Sequence, residues 1–195
     1  MKHHESMNAV ESAQLSIATA SDIGEKCQAE GVYTFKCFDK EGGKLLWEQT
    51  VDNVVCTVGK NLMLQTALTG SGYTVTGPYM GLISSVSWSA TAASDTMASH
   101  PGWTEAGSTN APTFAARIAP SFGTASAGAI STSTPVSFTM TGNGTLEGAF
   151  IVYGTGAVTT IGNTSGTLLS AGAFTGGAQP VNSGNVVQVS YSLSL

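Results

Sequence analysis

From Ile118 to Leu195 the chain carries a single charged residue, Glu147, and it is punctuated throughout by Gly, Ser, Asn and Pro. A charge-free tract still rich in Thr, Ser and Val is not disordered in the usual high-charge, low-hydrophobicity way. It reads as strands. The closing run NVVQVSYSLSL is the clearest, because Val187, Val189, Tyr191, Leu193 and Leu195 alternate with Gln188, Ser190, Ser192 and Ser194. That is period two with one apolar face. Similar short runs recur from Tyr73 onward: YTVTG (73–77), YMGLIS (79–84), TFAARI (113–118), VSFTMTG (136–142), TLEGAFIVYG (145–154) and TLLSAGAFT (167–175). Seven or more short strands with turn residues between them predict a mainly β fold, an antiparallel β-sandwich or jelly-roll-like domain.

The sequence before Tyr73 supplies the other elements. GVYTFKCF has the aromatic and β-branched content of a strand, DKEGGK a turn, and KLLWEQTV a second strand. Residues 31–51 therefore read as a β-hairpin with Gly42-Gly43 at its tip and Trp47 as its main apolar anchor. The only convincing helix is a short one at 61–69, with Asn61 as its cap and Gly70 as its stop. Its apolar residues, Leu62, Met63, Leu64, Ala67 and Leu68, are too many for one exposed face, so the helix is expected to pack on the sheet. Residues 1–30 form a polar leader with one strand-like patch, LSIAT, and read as an extended N-terminal arm. The organisation expected is an arm at 1–30 and one sandwich domain at 31–195, a length that can bury a core without disulfides.

Charge is confined as well as scarce. Of the 19 charged residues, 15 precede Asn61, and six of the seven Lys and Arg are scattered through that mixed-charge region. With a formal net charge of −5 and no basic patch, nucleic acid is not expected as a direct partner. No stretch approaches the length of a membrane span, and MKHHESMNAVESAQ lacks the apolar run of a signal peptide. Mean hydropathy is +0.14 and only 10% of residues are charged, so much of the surface is expected to be covered by other subunits.

Several patterns invite a chemical reading. Cys27, Cys37 and Cys56 have spacings of neither a redox pair nor a zinc cluster, and Cys37 and Cys56 read as buried reduced thiols compatible with a reducing cytosol. His3 and His4 at the terminus read as solvated side chains, and no metal or cofactor is expected. TMTGNGTLEGAF lacks the Lys-Ser or Lys-Thr of a phosphate loop, and Gly142-Asn143-Gly144 is expected to be a hairpin turn between VSFTM and LEGAFIVY. The segment SDTMASHPGWTE brings Asp95, Ser99, His100 and Glu105 together, the residue types of a hydrolytic site. Neighbouring side chains such as Ser99 and His100 point apart, however, and no G-x-S-x-G elbow surrounds the serine. A structural turn is the simpler expectation, with Ser94 or Asp95 capping a short helical turn that Pro101-Gly102 ends before Trp103 packs back. The aromatics Tyr73, Tyr79, Trp88 and Trp103 read either as core or as a platform for sugar rings.

The order of these elements is itself informative. A hairpin carrying a Trp is followed by DNVVCTVGKNLMLQTAL, YMGLI, DTMASHPGWTE, GNGTLEGAF, TLLSAGAF and a closing alternating strand. Over roughly residues 31–195 this series resembles virion structural proteins of tailed bacteriophages. The resemblance implies a non-enzymatic capsid decoration or cement protein, made in the host bacterial cytoplasm and located on the capsid surface. It implies the major capsid protein as partner and a homo-oligomer, dimer or trimer, with a tail or tail-fibre component binding a host receptor or glycan as the alternative. It carries over no catalytic residue.

Overall fold

The structure, a computed structural model, describes residues 29–40, 43–69, 76–107 and 109–195. The fold is mainly β and antiparallel at every strand pairing. Ten strands are present: β1 (Glu30–Phe38), β2 (Leu45–Val55), β3 (Tyr79–Ser84), β4 (Thr104–Glu105), β5 (Ala129–Ser131), β6 (Val136–Thr139), β7 (Gly144–Tyr153), β8 (Thr167–Ala173), β9 (Gln179–Val181) and β10 (Val186–Ser194). One helix, α1 (Thr57–Thr69), follows β2. The strands are joined in the order β4-β3-β7-β8-β2-β1-β10-β5, with β6 also on β10 and β9 also on β7.

Strand β2 makes this one sheet into two layers. Its residues up to Asp52 pair with β1, whereas Asn53–Val55 pair with β8. The hairpin layer (β2-β1-β10 with β5 and β6) and the buried layer (β8-β7-β3-β4 with β9) then face each other. Tyr33, Phe35, Val51, Val187 and Tyr191 from the first meet Met80, Leu82, Ala149, Ile151 and Leu169 from the second. Gly172 is needed where the layers come closest, because a Cβ there would sit 2.7 Å from the Tyr33 ring.

Burial explains the two sequence textures. Strands β1 and β10 alternate buried and half-exposed residues, since one of their faces meets water. In β3, β7 and β8 the runs MGLIS, LEGAFIV and LLSAG are buried without a break, because a second apolar cluster covers their outer face. In that cluster Met97 and Trp103, from the long connection after β3, lie against Cys56, Ile83, Phe150, Val152 and Leu168. Cys37 and Cys56 are buried free thiols, pushed by burial up to about 11 and about 12; Cys27 lies outside the described residues.

Four local expectations are corrected. The helix begins at Thr57, directly after β2, where the Lys60 amide donates to the Cys56 carbonyl; Asn61 lies inside it rather than at its cap. It also packs less than expected. Gly59 is its one buried residue, the Tyr153 hydroxyl donates to the Gly59 carbonyl at 2.9 Å, and Leu64 and Leu68 are 59% and 80% exposed. TFAARI is no strand: Thr113 accepts from the Thr141 amide, the Arg117 amide donates to Thr159, and only Ile118 forms an isolated bridge, exchanging two bonds with Met80. Finally, Gly142-Asn143-Gly144 is not a hairpin turn, because β6 pairs with β10 and not with β7. The segment crosses between layers, and both glycines lie outside the left-handed region. Asn143 Oδ1 instead accepts from the Ser183 amide at 2.8 Å. The hairpin of β1 and β2 stands as expected, with the Gly43 and Lys44 amides donating to Asp39 Oδ1; its expected tip residue Gly42, Tyr73 and residues 1–28 of the arm expected at 1–30 lie outside the described residues, and Glu30, expected to end that arm, opens β1.

Glu147 occupies a bulge in β7: Ile83 faces Gly148 while the next residue, Ser84, faces Leu146, leaving Glu147 as the extra residue. It is 4% exposed, and burial raises its carboxyl above the ordinary glutamate range. The folded chain therefore holds this proton more tightly than the unfolded chain, so its stability contribution is complete below the ordinary glutamate value and is lost as pH rises through the folded one. Glu147→Gln should match the native protein near pH 4 and become the more stable of the two as pH rises towards 7, read from urea midpoints across that window. A native protein that instead gains on the variant with rising pH would show the carboxylate to be stabilising.

Candidate functional site

The connection between β3 and β4 is where the sequence placed an acid, a hydroxyl and an imidazole, and it is shaped by the need to cover β7 and β8. Thr96 and Ser99 exchange backbone hydrogen bonds around Met97-Ala98, a tight two-residue turn rather than the expected helical one, and Met97 is thereby directed into the outer cluster. Asp95 caps backwards, accepting from the Ala92 amide at 2.9 Å. Pro101-Gly102 turns the chain, as expected, and Trp103 packs back at 1% exposure.

The side chains of Asp95, His100 and Glu105 each have a structural partner of their own. Asp95 Oδ2 accepts from the Trp103 indole N–H at 2.9 Å, which satisfies the one polar atom of a buried ring. The His100 ring stacks on the same indole with centroids 3.8 Å apart and 19° between planes. His100 Nδ1 lies 2.9 Å from the Trp103 carbonyl, which can only accept, so Nδ1 carries a hydrogen. The Ser99 amide donates to Thr96 Oγ1, and among the described residues no hydrogen bond joins Ser99 to His100. The carboxylate that would orient a catalytic imidazole is thus bound to an indole.

Glu105 belongs to a different arrangement that sequence reasoning did not find. Arg117 Nε and Nη2 donate to Glu105 Oε1 and Oε2, both at 2.7 Å, in a buried bidentate pair. Arg117 Nη2 also reaches the Asn163 carbonyl and Nη1 the Val158 carbonyl, while the Gly162 amide donates to Glu105 Oε2. The guanidinium carbon lies 5.4 Å from the centroid of the Phe150 ring. The pair ties β4, the 113–118 segment and the 158–163 loop together. The signal was present in the sequence, since Arg117 is the only cation after Lys60.

A second polar cluster joins the layers where β2 changes partners. The Tyr33 hydroxyl bonds Ser170 Oγ at 2.8 Å, and Asn53 Nδ2 donates to the Tyr191 hydroxyl at 3.1 Å. Burial raises both tyrosines, Tyr33 well above its ordinary value. Asn53 Oδ1 is buried with no partner among the described residues.

The concave surfaces are modest. A cleft of about 200 Å³ lies between His100, Glu105, Asn110 and the 161–164 loop, and a groove of about 530 Å³ runs past Glu30, Asn53, Lys60 and Leu193. Among the described residues no group of three or more His, Cys, Asp or Glu is placed to hold a metal ion, and no helix is long and apolar enough to cross a membrane. Of the aromatics considered as a sugar platform, Trp103 is buried beneath His100, and Tyr79 and Trp88 are half-buried against the outer cluster.

The distribution of charge is the most distinctive feature of the surface. Asp95, Glu105, Arg117 and Glu147 are all the charged residues beyond Lys60, and they are 4%, 9%, 1% and 4% exposed. The exposed charges of the described chain, Glu30, Lys36, Lys40, Lys44, Glu48 and Asp52, all lie on β1, β2 and their connection. Beyond Lys60, itself half-buried on α1, the surface of the described residues is polar or apolar but uncharged. Comparison with family models, with curated proteins and with solved structures finds no match to the chain.

The buried ion pair and the stacked histidine should separate cleanly on substitution. Arg117→Ala strands Glu105 and should lower unfolding free energy by about 3–5 kcal/mol, whereas His100→Ala loses one ring contact and one hydrogen bond to the Trp103 carbonyl and should cost about 1–2 kcal/mol. Urea denaturation of the two variants measures both, and equal costs would contradict these assignments.

Proposed function

We propose that this protein is a non-enzymatic structural component of a phage virion, a capsid decoration or cement protein that binds the major capsid protein and stabilises the shell. The observation that carries the reading is the uncharged surface formed by residues 61–195, whose only four charges are turned inside. A freely diffusing domain keeps copies apart with exposed charge of both signs. A neutral surface rich in Ser, Thr and Gly suits a subunit that spends its working life against others. The ordered series of motifs resembling virion proteins of tailed phages supports a place in the particle, and a dimer or trimer is the oligomer expected.

The energetics fit such a role. Apolar area covered at each contact contributes roughly 25 cal/mol per Å², less the cost of ordering the groups involved. Repetition over symmetric positions turns weak contacts into firm attachment. The internal partners of Asp95, His100 and Glu105 give the 94–105 segment a structural role in this account, as a cover for β7 and β8. The alternative, a tail or tail-fibre component that binds a receptor or glycan, draws on the half-exposed Tyr79 and Trp88.

Depletion distinguishes the two. Particles assembled without the protein should form normally but lose their contents at lower temperature or lower salt, and purified protein should restore resistance. Depleted particles that are equally robust yet fail to adsorb to cells would overturn the capsid role in favour of the tail.

A further inference from the structure

The two layers part at a fork. The ladder between β1 and β2 ends at Val32 and Asp52, after which Asn53–Val55 turn away to pair with β8. The facing sides of Glu30–Gly31 and of Asn53–Val55 are thereby left with no strand between them among the described residues. The groove of about 530 Å³ lies in this fork, and its size is that of a preformed binding site. Val32, Val54, Ala129 and Leu193 make its apolar lining, and Glu30, Asp52 and Lys60 add charge to its walls. Val32 and Val54 belong to the outward rows of their strands, which otherwise carry Thr34, Lys36, Glu48 and Thr50, yet both are half-buried. The far wall is fixed: Ala93 also lines the groove, and its carbonyl accepts from the Thr57 amide at 2.8 Å.

We propose that this groove holds the segment Ala13–Thr19 of the chain's own N-terminal leader, lying extended in the fork. AQLSIAT alternates Ala13, Leu15 and Ile17 with Gln14, Ser16 and Ala18, which is the pattern of a strand with one apolar face. Leu15 and Ile17 cover Val32 and Val54. The segment's backbone meets the strand sides that the fork leaves open, as in other strand additions. From Ser12 to Ser21 the leader carries no charge, so nothing of like sign is brought against Glu30 or Asp52.

The occupant is the chain's own leader because of where that leader ends. Ala29, at which the described chain begins, itself lines the groove and packs on the core. Ala20–Gln28 join the segment to this wall, nine residues with Gly24 among them that span up to about 30 Å when extended. The segment thus has the reach to fold back along the groove. A tether this short keeps it at an effective concentration in the millimolar range, which the leader of a second copy does not match in dilute solution. The inference concerns the folded chain alone and holds whether or not the protein belongs to a virion.

Methyl NMR of the full-length chain in dilute solution is the test. In uniformly labelled protein the methyls of Leu15 and Ile17 should give cross-relaxation peaks to those of Val32 and Val54. In an equal mixture of chains labelled only at Leu and Ile with chains labelled only at Val, these peaks should be absent, since leader and groove then sit on different molecules. In the full-length double variant Leu15→Asp, Ile17→Asp the methyl resonances of Val32 and Val54 should shift, while those of Val187 and Val189 stay in place and show the fold intact. Peaks that persist in the mixture would assign the groove to a neighbour's leader and overturn the proposal. Val32 and Val54 methyls that show no peak to the leader, or do not move in the double variant, would overturn it as well.

Discussion

All the charge that this protein possesses beyond Lys60 is held in its interior, and that constraint organises the fold around it. A buried ion survives only with a partner of fitting geometry or in its neutral form. Arg117 and Glu105 satisfy each other through two short parallel bonds and take up the carbonyls of Val158 and Asn163 and the amide of Gly162 with what remains. Asp95 is satisfied by the indole of Trp103 and a backbone amide. Glu147, in its bulge, is shifted towards the protonated form. The first two arrangements fix long connections onto the buried layer: Arg117 and Glu105 hold the 113–118 segment and the 158–163 loop, and Asp95 holds the connection between β3 and β4.

The same constraint sets the character of the outside. With those four residues inside, the surface beyond the first hairpin is left to Ser, Thr, Gly, Asn and scattered apolar side chains, while the exposed charge lies on β1, β2 and their connection. Among the described residues the outer faces of the two layers are therefore unlike: exposed charge lies on β1, β2 and their connection, and the face covered by the 85–103 connection has none. The helix α1 carries exposed leucines, and among the described residues Leu45–Asp52 of β2 pair with a strand on one side only.

Much of the fold was legible wherever local pattern and long-range pairing agree. The alternation from Val187 to Leu193 places its apolar residues inside, and Tyr33, Phe35 and Cys37 follow the same rule on the neighbouring strand. Legibility failed where pairing is decided at a distance. Gly142-Asn143-Gly144 has the composition of a hairpin turn, but β6 finds β10 and the segment becomes a crossover. TFAARI has strand composition, but Arg117 turns inward to Glu105 and the backbone follows the ion pair instead of a ladder. In the candidate site, the tight packing of Trp103 was readable, as was the poor placement of Ser99 relative to His100. The Glu105–Arg117 pair was not, because nothing in spacing alone says which acid a lone arginine will meet.

If the neutral surface is the surface that assembly covers, the orientation of the subunit on the particle is determined. Imaging of assembled virions at a resolution that resolves the subunit's layers tests this directly. The account predicts the protein on the head shell, with α1 and the outer side of the β8-β7-β3-β4 layer against the shell or neighbouring copies and the outer face around Lys36 and Glu48 in solvent. A subunit that presents its neutral side to solvent and buries Lys36 and Glu48, or one found only on the tail, would contradict it.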